Sequence, residues 1–230
     1  MLSKLLIIIF IIGTSLANAE GLSLNQSRII FNQDDTSQVA QIRNDTDKAI
    51  LVQASVIKDL ANKSVDNFIV TPPLFKVEPR AEFSMRIMSN KLGDLPKDRE
   101  SIFYLKTRAI PSVNKNDDEN KTSLVFVTAF VIKLIYRPVG IDAPTNEQYK
   151  KVNLIKKQAE WFFDNPTPYY MTVVGLSIDG DLKKESILLE PFSEFLINTK
   201  ISDPSKVSWY FLNDFGSMTN KYVINSTSKY

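Results

Sequence analysis

The segment VFVTAFVIKLIYRP, residues 125–138, constrains the fold more than any other part of the chain. A strand with one wet face alternates apolar and polar residues. Here the even positions from 124 to 134 are apolar except Thr128, and the odd positions from 125 to 135 are apolar except Lys133. Neither face suits water. The strand is therefore either covered on both faces by its own protein, or one face accepts a partner from outside the chain.

The chain contains no histidine and no cysteine, and these absences exclude several function classes. A Ser-His-Asp triad, a Cys-His nucleophile and an HExxH zinc site all need residues that are missing. Carboxylate pairs remain as a route to catalysis, but Asp34, Asp35 and residues 117–119 lie in polar segments typical of solvated turns. We expect no catalytic residue, no cofactor and no metal site. A secreted hydrolase that uses carboxylates is one possible interpretation of the chain, and a glycosidase screen would test it.

Residues 1–19 have the pattern of a secretory signal peptide. Lys4 precedes an apolar core over residues 5–12, and Ala17 and Ala19 provide the small side chains that signal peptidase requires. The core is shorter than the ~20 residues that span a bilayer, so we expect export without direct membrane insertion. The net charge of +2 gives no reason to expect nucleic acid as a partner.

The rest of the chain alternates short β-forming segments with turns, and no helical period or internal repeat is visible. A polar stretch after Pro138 divides the pattern into two β series. Each series has about the length of an immunoglobulin-like sandwich. The sequence predicts an all-β fold of two such sandwiches, residues 20–140 and 141–230, with a cleft between them.

Six segments occur in an order that identifies a family. They are LNQSRIIF, FIVTPPLFKVEP, LPKDRESIFYLKTRAIPS, IKLIYRP, NPTPYY and NDFG. Over essentially its whole mature length, the chain resembles the periplasmic pilus chaperones of the PapD type. The resemblance implies two immunoglobulin-like domains joined at an angle. It also implies an ATP-independent periplasmic chaperone that binds incomplete pilus subunits by donor-strand complementation and delivers them to an outer-membrane usher.

The resemblance explains why the long strand has two apolar faces. In these chaperones the last strand of the first domain fills the groove of a subunit that lacks its own final strand. The even positions match the donor residues in spacing and bulk: Leu124, Phe126, Thr128, Phe130 and Ile132. Thr128 departs from the apolar pattern, and the sequence leaves open whether it enters a subunit pocket. We expect the smaller odd residues to pack into the chaperone's own core.

Five charged residues match family positions as well. Arg28 and Lys133 match the two cations that hold the C-terminal carboxylate of the subunit within the cleft. Lys133 stands out from the sequence alone, because an unpaired lysine is costly in so apolar a strand. Glu100, Arg137 and Asp214 match a charge network that fixes the angle between the domains.

The short loop over residues 112–122 and the lack of cysteine resemble the short-loop subclass of these chaperones. The free protein also has reason to self-associate, since two copies would cover each other's apolar strand. The alternative is a secreted immunoglobulin-like recognition protein, which gains support from five Asn-x-Ser/Thr sites. These sites are Asn25, Asn44, Asn62, Asn120 and Asn225.

Overall fold

The computed structural model describes residues 21–111, 127–158, 160–197 and 203–225. Three predictions lie outside the described residues: the signal peptide over residues 1–19, the short loop over residues 112–122, and the donor residues Leu124 and Phe126. Within the described ranges, no helix is both long and apolar enough to cross a membrane.

The first half of the described chain forms a β-sandwich. A four-stranded sheet in the order β1-β3-β7-β5 packs against a five-stranded sheet in the order β2-β9-β8-β4-β6. The inward side chains of both sheets form one core, with Phe31, Ile42, Met85, Phe103 and Leu134 fully buried. The strands are β1 (Leu22–Leu24), β2 (Arg28–Asn32), β3 (Ser37–Asn44), β4 (Ile50–Ile57), β5 (Phe68–Thr71), β6 (Leu74–Val77), β7 (Glu82–Ser89), β8 (Ser101–Pro111) and β9 (Thr128–Arg137).

The chain crosses from one sheet to the other between β1 and β2. β1 pairs with β3 in the four-stranded sheet, whereas β2 pairs with β9 in the five-stranded sheet, and this second pairing is parallel. It begins at Arg28 opposite Lys133 and runs to Asn32 opposite Arg137. The other edge of β9 pairs with β8 from Thr128 onward. The stretch of β9 from Thr128 to Ile132 therefore has a strand on one side only, among the residues that the structure describes.

The second half forms another β-sandwich after a short helix, α1 (Asn146–Lys150). A three-stranded sheet has the order β10-β11-β15, and a five-stranded sheet has the order β13-β12-β16-β17, with β14 also paired to β12. Phe163, Trp209 and Phe211 are central to its core. The strands are β10 (Asn153–Lys157), β11 (Glu160–Asn165), β12 (Met171–Ile178), β13 (Asp181–Leu182), β14 (Ile187–Leu189), β15 (Ser193–Ile197), β16 (Lys206–Leu212) and β17 (Tyr222–Asn225).

Both sandwiches contain the same turn, although the sequence shows no visible repeat. Asn44 ends β3 and Asn165 ends β11, and both side chains are fully buried. The Asn44 Nδ2 donates to backbone carbonyls at 2.8, 3.0 and 3.3 Å, and the Asn165 Nδ2 donates to two at 2.9 and 2.7 Å. Each asparagine Oδ1 accepts from the threonine two residues later, Thr46 at 2.7 Å and Thr167 at 2.6 Å. The prediction of an all-β fold with two immunoglobulin-like sandwiches is confirmed by this architecture and by the comparisons below.

Candidate functional site

Two cations lie side by side where the free edge of β9 ends. Arg28 and Lys133 are directly opposite each other in the parallel pairing of β2 with β9. Opposed residues in neighbouring strands project from the same face of a sheet. Arg137 projects from the same face four residues further along β9, and its guanidinium reaches the second sandwich. The sheet therefore presents Arg28 and Lys133 together on the face that borders the second sandwich.

Arg28 is held in place but has unused donor capacity. Its side chain is only 8% exposed, and its Nη1 donates to the carbonyl of Leu212 in the second sandwich at 3.3 Å. Its Nε is buried and has no hydrogen-bond partner among the residues that the structure describes. Burial lowers the pKa of Arg28, and the charge of Asp214 opposes this effect. A buried donor without an acceptor is costly, so this site is suited to a group that supplies one.

Lys133 is a half-buried cation beside another cation. Within the described part of the chain, its side chain forms no hydrogen bond or ion pair. Burial and the nearby charge of Arg28 lower the pKa of Lys133. An anion between the two side chains would relieve both effects, because it would accept charge-assisted hydrogen bonds and offset the repulsion.

A network of three charged residues joins the two sandwiches next to this pair. Arg137 at the end of β9 donates to Glu100 at 2.8 Å, and to Asp214 of the second sandwich at 2.8 and 3.0 Å. The other oxygen of Glu100 accepts from the backbone N–H of Tyr170 at 2.8 Å. Glu100 and Arg137 are 2% and 4% exposed, so their half of the network is closed to water, whereas the side chain of Asp214 is 24% exposed. The structure brings together the three residues that the family resemblance assigned to this network.

The pKa directions in the network follow from burial and pairing. Burial raises the pKa of Glu100, and the charge of Arg137 and the Tyr170 hydrogen bond only partly offset this. Burial would lower the pKa of Arg137, but hydrogen bonds and charges from Asp214 and Glu100 outweigh it and raise the pKa. Arg137 is therefore a permanent cation shared by two carboxylates from different sandwiches, which resists separation of the domains.

A cleft of about 820 Å³ opens beside Arg28, and Lys133 is not among the residues that line it. Arg28, Arg137 and Asp214 line it, together with the interdomain segment at residues 138–143 and the side chain of Phe215. Neither the sequence pattern nor the resemblance assigned Phe215 or the Leu212 carbonyl to this site. Phe215 lies within NDFG, one of the six segments that carry the family resemblance. An aromatic residue in a polar turn is the signal by which the sequence could have indicated it.

The expected orientation of β9 is wrong for three of its odd residues, although the odd residue Ile135 is buried. Val127 is 46% exposed, Val131 is 40% exposed and Ala129 is also exposed, so these residues do not pack into the protein's own core. The even residues Leu134 and Tyr136 are in that core instead. Because side chains alternate along a strand, the even face of β9 continues the inner face of the sandwich, and the odd face is outward with Lys133.

The described donor candidates change from half-buried to exposed along this even face. Ile132 packs partly against the protein's own core, Phe130 is half-buried and Thr128 is exposed. The even side chains therefore leave the core progressively toward the start of β9. The part of the strand that can offer its even face to a partner is the part farthest from Lys133.

One of the five Asn-x-Ser/Thr sites is unsuited to a glycan. The side chain of Asn44 is fully buried, and its Nδ2 donates to backbone carbonyls. Asn25, Asn62 and Asn225 are exposed, and Asn120 lies outside the described residues. The buried site weakens the alternative of a glycosylated recognition protein.

Two family models together match nearly all of the described chain. Residues 21–142 match the pili and flagellar-assembly chaperone family, PapD N-terminal domain. Residues 147–222 match the pili assembly chaperone PapD, C-terminal domain.

Curated proteins and solved structures agree with the family models. The chain is 32% identical to the chaperone protein FimC of Escherichia coli K12 over 203 residues, which cover 87% of this chain and 83% of FimC. It is 26% identical to the periplasmic chaperone SfaE, with a TM-score of 0.73, 88% of this chain covered and 98% of SfaE. The fold also matches the SafB chaperone, solved in complex with the SafA pilin of Salmonella enterica, with a TM-score of 0.79 and 24% identity over 90% of this chain and 97% of that one.

Proposed function

We propose, because the chain belongs to the PapD family of pilus-assembly chaperones, that it binds incomplete pilus subunits in the periplasm and delivers them to an outer-membrane usher. It does so by donor-strand complementation, without ATP or another cofactor, and it is not an enzyme. Support comes from the family models and from the SafB chaperone, a structural neighbour whose structure was solved together with a pilin.

The pairing of Arg28 with Lys133 at the end of a free strand edge is the observation that carries the proposal. A strand that pairs with β9 between Thr128 and Ile132 enters the position in the sheet that β2 occupies further on. Its end meets Arg28. If that end is a C-terminal carboxylate, the strand runs in the direction of β9 and its last residue lies between the two cations. Each charge-assisted hydrogen bond formed there contributes roughly 1.5–3 kcal/mol when shielded from water.

The start of β9 supplies the donor side chains in this proposal. Phe130 and Thr128 extend along the even face beyond the closed part of the core. Leu124 and Phe126 continue the same period of two and remain proposed donors, although they lie outside the described residues. Ile132 contributes to the protein's own core and is only partly available to a subunit.

The remaining assignments are also proposals. The network of Glu100, Arg137 and Asp214 sets the angle between the domains, which its burial and its reach across the interface support. We divide the chain into a signal peptide over residues 1–19 and domains over residues 20–140 and 141–230. The positions of the two hydrophobic cores support the division between the two domains.

The experiment compares Arg28→Ala and Lys133→Ala with the control Arg86→Ala, an exposed arginine on β7. Both cleft variants should be exported and folded but should bind subunits with at least ~100-fold lower affinity, because the carboxylate loses a charge-assisted partner. The two losses should not add, since both residues hold one group. A subunit-derived peptide amidated at its C-terminus should bind wild-type protein as poorly as the free acid binds the variants. Equal binding of the amidated and free-acid peptides would contradict the proposal.

A further inference from the structure

Phe215 is the most exposed large apolar side chain in the part of the chain that the structure describes, at 92% exposure. It follows Asp214 in the loop after β16 and lines the cleft together with Arg28. A fully solvated phenylalanine next to a cation site contributes almost nothing to the fold of its own chain. Its position indicates a role toward whatever occupies the cleft.

Hydrogen bonds close the base of the loop that carries Phe215. The side chain of Asn213 accepts hydrogen bonds from the backbone N–H groups of Phe215 at 3.0 Å and Ser217 at 2.9 Å. The backbone N–H of Asn213 donates to the Ser217 carbonyl at 2.9 Å, which closes the loop. The ring is therefore presented from an ordered base, so little backbone entropy would be lost when a partner packs against it.

The same loop packs against the first sandwich at the point where an incoming strand must stop. Gly216 has a φ of +80°, and a Cβ atom there would collide with the Oγ of Ser27. Ser27 directly precedes Arg28, and Arg28 in turn bonds the Leu212 carbonyl at the other end of the loop. These two contacts fix Phe215 relative to the cation pair.

We infer that Phe215 is a specificity residue that packs against an apolar side chain next to the C-terminus of the bound subunit. The inference rests on the proposed function, which places that carboxylate between Arg28 and Lys133. The last residues of the subunit then run past the loop after β16. Side chains of a strand alternate, so only one of the last two positions can face the ring.

The test uses short strand-forming peptides with a free C-terminal carboxylate and an N-terminal fluorophore. One peptide has alanine at both of its last two positions, and two others have phenylalanine at one of them. Fluorescence anisotropy gives the dissociation constants for wild type, Phe215→Ala and Leu182→Ala. Leu182 is an exposed residue of β13 that lines neither this cleft nor the smaller cavity beside it, which makes it the matched control.

One of the two phenylalanine peptides should bind wild type roughly tenfold more tightly than the alanine peptide, as expected for one additional aromatic contact. Phe215→Ala should abolish this gain without weakening the alanine peptide, and Leu182→Ala should keep the gain. The inference is overturned if phenylalanine increases the affinity equally at both positions, if it increases the affinity at neither position, or if the increase remains in Phe215→Ala. Failure of the proposed function has a separate signature, because amidation would then leave binding to wild type unchanged.

Discussion

Replacing Arg137 with methionine tests the charge network most directly. The substitution keeps most of the aliphatic volume but leaves Glu100, which is 2% exposed, with the Tyr170 N–H as its remaining hydrogen-bond donor. Asp214 lies closer to solvent and would be hydrated instead. The expected effect is therefore dominated by one unpaired buried carboxylate.

The cost of that carboxylate has an upper limit, because Glu100 can take up a proton instead of remaining charged. Protonating a glutamate with an ordinary pKa of about 4.3 at pH 7 costs ~3.7 kcal/mol. Breaking a buried ion pair typically costs about 3–5 kcal/mol. We expect Arg137→Met to lower the free energy of unfolding by ~3–4 kcal/mol at pH 7.

The pH dependence identifies the cause. Removing Arg137 raises the folded-state pKa of Glu100 further above its unfolded value. The penalty should therefore shrink by ~1.4 kcal/mol per unit as the pH falls from 7 toward 5, where proton uptake costs less. Adding Glu100→Gln should recover at least half of the loss at pH 7, since glutamine is uncharged and still offers an acceptor to Tyr170.

Urea unfolding at several pH values provides the measurement, with circular dichroism for the whole chain. Tryptophan fluorescence reports the second sandwich, because Trp161 and Trp209 are the two tryptophans of the chain and both lie there. Arg86→Met is the control for losing an exposed arginine. A loss below about 1 kcal/mol at pH 7, or a loss that does not change with pH, would refute the reasoning.

Three further predictions concern the strand and its export. Burial and the charge of Arg28 hold the pKa of Lys133 in the free protein below its ordinary value, and a bound carboxylate would raise this pKa. The affinity for a free-acid peptide should therefore be greatest below the pKa of free Lys133. The affinity should fall as the pH rises through that pKa. Lys133→Arg should remove this fall in binding titrations between pH 7 and 10.5, and a fall of the same size in Lys133→Arg would assign it to another group. Phe130→Asp should weaken subunit capture in co-purification and also lower the melting temperature, because Phe130 is half-buried. Val131→Asp on the exposed odd face should leave the melting temperature within a few degrees of wild type. Equal melting temperatures for the two variants would contradict the assignment of the even face of β9 to the core and the odd face to solvent. N-terminal sequencing of the exported protein should begin at Glu20, and retention of residues 5–12 would contradict the signal peptide.

The sequence was sufficient to predict the all-β class, because periods of two and turn residues are local signals. It was also sufficient to select Lys133, since a lysine within an apolar strand needs an explanation. It did not show which face of β9 is the core face. Both faces are apolar over residues 124–135, so the period of two carries no contrast there, and the burial of Leu134 and Tyr136 decides the question.

The other elements that the sequence did not reveal depend on long-range packing. The matching turns at Asn44 and Asn165 share two residue types two positions apart, which is too little to detect as a repeat. Arg28 alone would pass for an exposed strand arginine. Its burial arises because Leu212 at the end of β16, 184 positions later in the chain, supplies the carbonyl that it bonds.

The crossing of the chain from β1 to β2 sets a fixed end point for any strand that pairs with the free edge of β9. β2 fills the position beside β9 only from Arg28 onward, so the distance from that stop to any point on the free edge is fixed by the fold. A partner whose end rests against the stop is then measured by counting residues from its terminus, whatever those residues are. One residue added to that terminus would turn every side chain of the bound strand to the opposite face. Partners with very different sequences can therefore share one chaperone if each keeps the same count.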